Sequence, residues 1–79
     1  MNKRLTDHPA IGKILPVGDC PPRWMYVTHV IEAADGYLTY WGPFWVARRQ
    51  VWTKRPRGCA RAAVGIKIPR TPRPRKPQP

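Results

Sequence analysis

Basic and aromatic side chains alternate over ten positions in the second half of the chain, where the sequence reads RRQVWTKRPR (residues 48–57). Arginine and lysine neutralise phosphate groups and release their counterions, and an indole ring offers a surface on which an unpaired base can stack. The pattern therefore predicts contact with nucleic acid. The alternative is a solvated basic edge with Trp52 in the core.

The charge of the chain is concentrated at one end. Residues 1–47 hold four cations and four acids, whereas residues 48–79 hold eleven cations and no acid, so the last 32 residues carry the whole net charge of +11. Solubility alone does not require such segregation, which indicates an anionic partner for this half, either the phosphate backbone of DNA or RNA or an acidic surface. The predicted nucleic-acid-binding residues are Arg48, Arg49, Trp52, Lys54, Arg55, Arg57, Arg61, Lys67, Arg70, Arg73, Arg75 and Lys76.

The last eleven residues, PRTPRPRKPQP, contain five prolines and four cations. Proline favours the polyproline II conformation, which extends by about 3.1 Å per residue, so a tail of this length reaches on the order of 30 Å. We expect residues 69–79 to form a disordered basic tail that serves as an arm for nucleic acid. Two alternatives stay open: a solubilising segment without contacts, and a ligand for an SH3-type groove, because Pro69–Pro72 and Pro74–Pro77 both have PxxP spacing.

Histidine, cysteine and acidic residues are too scattered to predict catalysis. His8, His29, Cys20 and Cys59 form no CxxC or HxxxH spacing, and the glycines form no phosphate-binding loop. A zinc site would need all four side chains to converge without a short-range anchor. We therefore predict no enzymatic activity, no catalytic residue, no metal and no cofactor. Both thiols are expected to be reduced, with a Cys20–Cys59 disulfide as the alternative.

The clearest predicted element is residues 24–46, which read WMYVTHVIEAADGYLTYWGPFWV. Asp35-Gly36 is a strong hairpin signal, because a type I′ turn requires positive φ at both central residues. With Ala34 opposite Tyr37, the numbers of paired residues sum to 71. A slip of one residue would exchange the two faces of the hairpin. Gly42-Pro43 predicts a bulge or a bend.

This register divides the hairpin into an aliphatic face and an aromatic face. The aliphatic face is the predicted core and carries Met25, Val27, Ile31, Ala33, Leu38, Tyr40, Phe44 and Val46. The aromatic face carries Trp24, Tyr26, Thr28, Val30, Glu32, Tyr37, Thr39, Trp41 and Trp45. The predicted protein-contacting residues are Tyr26, Trp41 and Trp45 from this face and Ile11, Ile14 and Leu15 from the N-terminal segment.

Short β elements are predicted on both sides of the hairpin, at residues 11–17, 51–53 and 59–68, the last with a helical alternative at its alanine-rich start. We predict a mostly β fold, an antiparallel meander or partly closed barrel of four or five short strands over residues 1–68, followed by the tail at 69–79. A core of this size contributes only about 3–5 kcal/mol of net stability. This is a further reason to expect binding rather than catalysis.

The sequence also predicts where the protein resides. No apolar run approaches the roughly 18 residues that span a membrane. The N-terminal segment MNKRLTDHPAIG lacks the apolar stretch of a signal peptide. We therefore expect a cytoplasmic protein that does not bind membranes. We also predict a monomer.

In its size, its opening MNKRLTDHPAIGKILP, its aromatic hairpin WMYVTHVIEAADGYLTYWGPF and its acid-free end, the chain resembles the short regulators that bacteriophages encode to bind host RNA polymerase. The resemblance is one of type, so no functional position is carried over. It implies a non-enzymatic transcription regulator that binds bacterial RNA polymerase or an associated factor in the host cytoplasm, with its basic half near the nucleic acid. Two other functions stay open: an autonomous RNA- or DNA-binding module, and a ribosome-associated or assembly protein.

Overall fold

The computed structural model describes residues 2–77, and its secondary structure consists of short strands with a single 3-10 turn. The strands are β1 (Lys3–Leu5), β2 (Ile14–Val17), β3 (Arg23–Tyr26), β4 (His29–Glu32), β5 (Leu38–Gly42), β6 (Trp45–Val46), β7 (Val51–Trp52) and β8 (Arg57–Ala60). The 3-10 turn η1 follows at Arg61–Ala63.

All strand pairs are antiparallel. Four strands form one sheet in the order β1-β4-β5-β8, and two ribbons, β2-β3 and β6-β7, complete the molecule. The prediction of a small, mostly β, antiparallel fold is confirmed, and the sheet is open rather than closed into a barrel. The strands are shorter and more numerous than expected, because the chain changes sheet partner where a long strand was predicted.

The change of partner occurs at Val27. The Val27 N–H donates to the Lys13 carbonyl at 3.0 Å, and its carbonyl accepts from the Gly12 N–H at 2.8 Å. On the other side, the Tyr26 N–H donates to the Pro43 carbonyl and the Thr28 N–H to the Trp41 carbonyl. Val27 is thus an extra residue opposite Gly42, which is a β-bulge. A bulge was expected here, but on the Gly42-Pro43 strand.

The predicted hairpin register is wrong by one residue. β4 and β5 pair His29 with Trp41 and Glu32 with Leu38, so paired numbers sum to 70. Within the loop between the strands, Gly36 alone has a positive φ, of 85°, and its N–H donates to the Ala33 carbonyl. A three-residue loop of this kind requires one left-handed residue, whereas the type I′ turn requires two, and glycine fills that position without steric cost.

The corrected register changes which side chains form the core. Val30, predicted on the aromatic face, is completely buried, and Ile31, predicted in the core, is half-buried. Met25 and Val27 are buried as predicted. The bulge at Val27 adds one residue to this strand, so the alternation of core-facing and outward side chains changes from odd-numbered residues before the bulge to even-numbered residues after it. The core cluster consists of Ala10, Val17, Met25, Val27, Val30 and Tyr40.

The predicted last strand, residues 59–68, is shorter than expected. β8 ends at Ala60 and is followed by η1, which agrees with the helical alternative for the alanine-rich start. Val64 then forms an isolated bridge with Val17, and the Gly65 N–H donates to the Pro16 carbonyl at 2.8 Å. Beyond this point Ile66 and Ile68 are exposed rather than packed. Among residues 2–77, no helix is long and apolar enough to cross a membrane.

Candidate nucleic-acid interface

The tail was expected to be disordered, but the structure places residues 69–77 against the folded domain. Pro69 is buried, and Thr71, Pro74 and Pro77 are half-buried. The segment forms neither helix nor strand, which is compatible with the extended conformation that proline favours. Gln78 and Pro79, the last two residues of the predicted tail, lie outside the described residues.

Two indole groups hold the tail. The Trp24 Nε1–H donates to the Thr71 carbonyl at 3.0 Å, and the Trp52 Nε1–H donates to the Arg75 carbonyl at 3.1 Å. The Arg73 guanidinium carbon lies 5.1 Å from the centre of the Trp24 ring, within cation–π range. The two partners are complementary, because an extended proline-rich chain has unpaired carbonyls and an indole N–H is a donor that needs an acceptor.

Trp52, predicted as a stacking surface for bases, is half-buried in an aromatic cluster. Its ring meets Trp45 edge-on with centroids 5.2 Å apart, and Tyr26 edge-on with centroids 6.2 Å apart. Trp24, predicted on the aromatic face rather than in the core, is only 4% exposed. In this conformation Trp24 and Trp52 hold the tail, and the Arg73 guanidinium covers a face of Trp24.

The predicted cations all remain at the surface. Each of the eleven is exposed: Arg48, Arg49, Lys54, Arg55, Arg57, Arg61, Lys67, Arg70, Arg73, Arg75 and Lys76. The chain has four acids, all in residues 1–47, so one-to-one ion pairing could neutralise at most four of these cations. At least seven are therefore available to an external anion.

Two loops position the cations that flank Trp52. Between β6 and β7 the Arg49 N–H donates to the Val46 carbonyl at 3.1 Å, and Gln50 takes a φ of 55° to close the turn. After β7, the Thr53 hydroxyl accepts the Phe44 N–H and donates to the Arg55 carbonyl. Thr53 thus ties Lys54 and Arg55 to the body of the domain.

The fold brings cations of the loop and the tail to one groove, here called the basic groove. It has a volume of about 880 Å³, and its lining includes Arg23, Trp24, Trp45, Arg48, Lys67 and Arg70. Arg48 comes from the β6–β7 turn, whereas Lys67 and Arg70 come from the connection to the tail and its start. Asp19 also lines the groove, so its electrostatic field is not uniformly positive. Arg23 and Trp24 were missed as groove residues, because the groove exists only when the tail folds back.

A second depression brings the end of the tail to the β6–β7 ribbon. Trp45, Gln50 and Trp52 line it from the ribbon, and residues 73–77 line it from the tail. The predicted residues Arg73, Arg75 and Lys76 therefore lie beside the β6–β7 ribbon. Five other predicted cations line neither of these depressions: Arg49, Lys54, Arg55, Arg57 and Arg61.

The predicted protein-contacting residues contribute mainly to the interior. Ile14 is 9% exposed, and Ile11 and Leu15 pack against the core. Tyr26, Trp41 and Trp45 are half-buried. The exposed large apolar side chains in the described part of the chain are instead Tyr37, Val51, Ile66 and Ile68.

Trp41 and His29 form a separate aromatic pair on the face of the four-stranded sheet opposite Val30 and Tyr40. Their rings are stacked, with centroids 6.1 Å apart and planes 5° from parallel. Burial, together with the nearby Arg4 guanidinium, lowers the pKa of His29 below its usual value, so the neutral imidazole is favoured. His29 is thus a packed, neutral side chain near pH 7.

The two cysteines are free and have different surroundings. Cys20 is exposed and Cys59 is half-buried. Burial raises the pKa of the Cys59 thiol, an effect that a hydrogen bond with the Gly18 backbone partly offsets. In residues 2–77 no group of three or more His, Cys, Asp or Glu side chains is arranged to hold a metal ion.

This difference predicts unequal thiol reactivity. Because the thiolate is the nucleophile, iodoacetamide at about pH 8 should alkylate Cys20 faster than Cys59, by roughly tenfold. Mass spectrometry of peptides from the native protein measures both rates, and the same reaction in denaturant should bring them together. Faster alkylation of Cys59 in the native protein would contradict the partial burial of this thiol on β8.

Comparisons of the chain with protein-family models, with curated proteins and with solved structures found no match.

Proposed function

We propose that this protein binds nucleic acid without catalysing a reaction, and that it does so through the phosphate backbone. The observation that carries the proposal is the basic groove, which Arg48, Lys67 and Arg70 line together. Arg48 lies about twenty positions before the other two in the sequence. Two segments chosen from the sequence for their cations converge on one surface. Phosphate groups are the ligands that such clusters of arginine and lysine bind.

The charge balance supports an anionic ligand of extended shape. At least seven cations of the basic half have no acid of this chain to pair with, and they are spread over the β6–β7 turn, the β7–β8 loop and the tail. A small anion would need only one or two of them. A nucleic-acid strand, with a phosphate at every nucleotide, would engage several at once.

The state of the tryptophans favours contacts to phosphate over contacts to bases. Trp24 and Trp52 donate their indole N–H groups to the tail, and Arg73 occupies a face of Trp24. Because Arg73 covers a face of Trp24, base stacking on that face would first require the tail to leave. We therefore propose binding with little sequence preference, as is typical when phosphate contacts dominate.

The narrower function, a phage-type transcription regulator that binds bacterial RNA polymerase, stays a prediction. The aromatic and aliphatic side chains assigned to that contact are buried or half-buried, so the autonomous nucleic-acid-binding module is the better supported of the two. Capture of polymerase from a bacterial lysate after nuclease treatment and a high-salt wash would favour the regulator. Loss of all capture after nuclease would favour the autonomous module.

The salt dependence of binding to a labelled single-stranded oligonucleotide tests the proposal. If about five cations contact phosphates, the affinity should fall roughly a hundredfold between about 50 and 200 mM salt, because each contact adds about 0.7 to the slope of log affinity against log salt. Fluorescence anisotropy measures this directly. A change of less than about threefold over that range, or no binding at about 50 mM, would contradict phosphate-driven binding.

A further inference from the structure

The contact between the tail and the tryptophans has the chemistry of peptide recognition. Trp24 and Trp52 donate to the carbonyls of Thr71 and Arg75, four residues apart in the tail. Four residues of polyproline II span about 12 Å. The two indole donors therefore bind the backbone of the tail at two well-separated carbonyl groups. Domains that bind proline-rich segments likewise place such segments in aromatic-lined grooves. Here we call the surface formed by Trp24, Trp45 and Trp52 the tryptophan surface.

Side chains of the tail add selectivity to these backbone contacts. Pro69 is buried and Pro74 is half-buried, and Arg73 lies over the Trp24 ring. The surface therefore selects an extended segment with prolines and an arginine in this order. None of these contacts depends on the tail belonging to the same molecule as the tryptophans.

The connection between the domain and the tail is suited to opening. The fixed body ends at Gly65, whose N–H is held by the Pro16 carbonyl and whose φ is 78°. Ile66, Lys67 and Ile68 are exposed, and contacts with the tryptophan surface start beyond them. Ile66 is 53% and Ile68 is 67% exposed, so two large aliphatic side chains on this connection have little cover within one molecule.

We propose that the tryptophan surface is a binding site for an arginine- and proline-rich extended peptide, and that its ligand from another molecule is the tail of a second copy of this chain. Exchange of tails between two copies would preserve each hydrogen bond and the Arg73–Trp24 contact, with Gly65–Ile68 as the hinge. In the exchanged dimer the two hinges lie next to each other, so Ile66 and Ile68 of one copy would pack against the same residues of the other copy. Exchange of identical elements is a low-cost route to a dimer.

Two conditions control the exchange. The tail of the same molecule competes at an effective concentration in the millimolar range, because its linker is short. The wild-type chain is therefore a monomer at micromolar concentration and forms exchanged dimers only near millimolar concentration. The two copies also repel each other through their net charge of +11, so added salt favours exchange. Nucleic-acid binding has the opposite salt dependence, so the two proposals can fail independently.

Complementation between two full-length variants tests the exchange. The surface variant, Trp24→Phe with Trp52→Phe, loses both indole donors and keeps an intact tail. The tail variant, Pro69→Ala with Arg73→Ala and Pro74→Ala, keeps the tryptophans. Each variant weakens the contact between its own tail and its own tryptophan surface, the first by removing the donors and the second by removing the proline and arginine contacts. We expect each variant alone to sediment as a monomer at about 10 µM to 1 mM, and their mixture to form a heterodimer in which the surface variant supplies the tail. A mixture that sediments as two monomers would overturn the proposal.

A third variant covers the case in which Trp24→Phe prevents folding. Deleting Ile66 and Lys67 from the otherwise wild-type chain shortens the hinge, so the tail cannot reach its own tryptophans but can reach those of a second copy. This variant should sediment at twice the monomer mass at micromolar concentration. A folded monomer, identified by its amide spectrum, would overturn the exchange.

A synthetic peptide tests the peptide-binding site independently of the exchange of tails between two copies. The peptide PRTPRPRKPQP, added to the tail variant, should change tryptophan fluorescence saturably, and a peptide with its prolines replaced by alanine should bind at least tenfold more weakly. Binding of the peptide without exchange between chains would overturn the second copy as ligand. No saturable binding, or equal binding of both peptides, would overturn the peptide site.

Discussion

Replacing Gly42 with alanine is expected to remove most of the free energy of unfolding of the protein. A Cβ atom at Gly42 would overlap the Tyr26 carbonyl oxygen and lie 2.8 Å from the Tyr26 carbonyl carbon and 3.2 Å from the Thr28 nitrogen. All three are backbone atoms on either side of the Val27 bulge, so no side-chain rotation relieves the overlap. A cost of about 3 kcal/mol approaches the entire stability of about 3–5 kcal/mol expected for a core of this size.

The measurement is a thermal unfolding curve by circular dichroism, with Gly36→Ala as the matched control. Alanine at Gly36 meets no atom within 4 Å, but the φ of 85° disfavours it, and we expect a loss of only about 1 kcal/mol. Gly42→Ala should therefore melt well below Gly36→Ala. Equal melting temperatures would contradict the bulge and the close approach of the two strands.

Neutralising the basic groove should weaken nucleic-acid binding several-hundredfold. The variant Arg48→Gln with Lys67→Gln and Arg70→Gln removes three exposed cations that line the groove. Each phosphate contact on a single strand raises the affinity at about 50 mM salt roughly eightfold over its value at 1 M salt. The effects of three contacts multiply, so the loss of all three should reduce the affinity roughly five-hundredfold. The slope of log affinity against log salt should become shallower by about 2.

The matched control removes the same charge from the other half of the chain. Lys3, Arg4 and Lys13 are also exposed, and their replacement by glutamine lowers the net charge equally. Binding measured by fluorescence anisotropy should fall much less for this control. Equal losses in the two variants would show that the protein attracts nucleic acid only through its total charge. This result would contradict phosphate binding in the basic groove.

The class of fold could be predicted from the sequence, but the pairing of the strands could not. Alternating apolar residues and Asp35-Gly36 indicate a hairpin in any register. The register depends on whether the loop uses one or two left-handed residues, which the dipeptide alone does not decide. The bulge depends on the pairing of Val27 with Lys13, a contact between segments that local patterns do not connect.

The basic half could be predicted as a charged surface, but the position of the tail could not. Its composition is typical of disorder and equally typical of a polyproline II ligand. The PxxP spacing and the tryptophans are both visible in the sequence, but the PxxP spacing alone predicts a ligand for a groove on another protein. What the sequence does not show is that Trp24 and Trp52 direct their N–H groups to the same strip of surface, since this follows from the β2-β3 and β6-β7 ribbons lying side by side.

The most direct test of phosphate binding in the basic groove is an NMR titration of the ¹⁵N-labelled protein with a single-stranded oligonucleotide. We expect the largest amide shifts at Arg48, Lys67 and Arg70, with smaller shifts along the rest of the tail. Lys3, Arg4 and Lys13 should shift little. Perturbations centred on those three N-terminal cations, or spread evenly over the chain, would contradict the account.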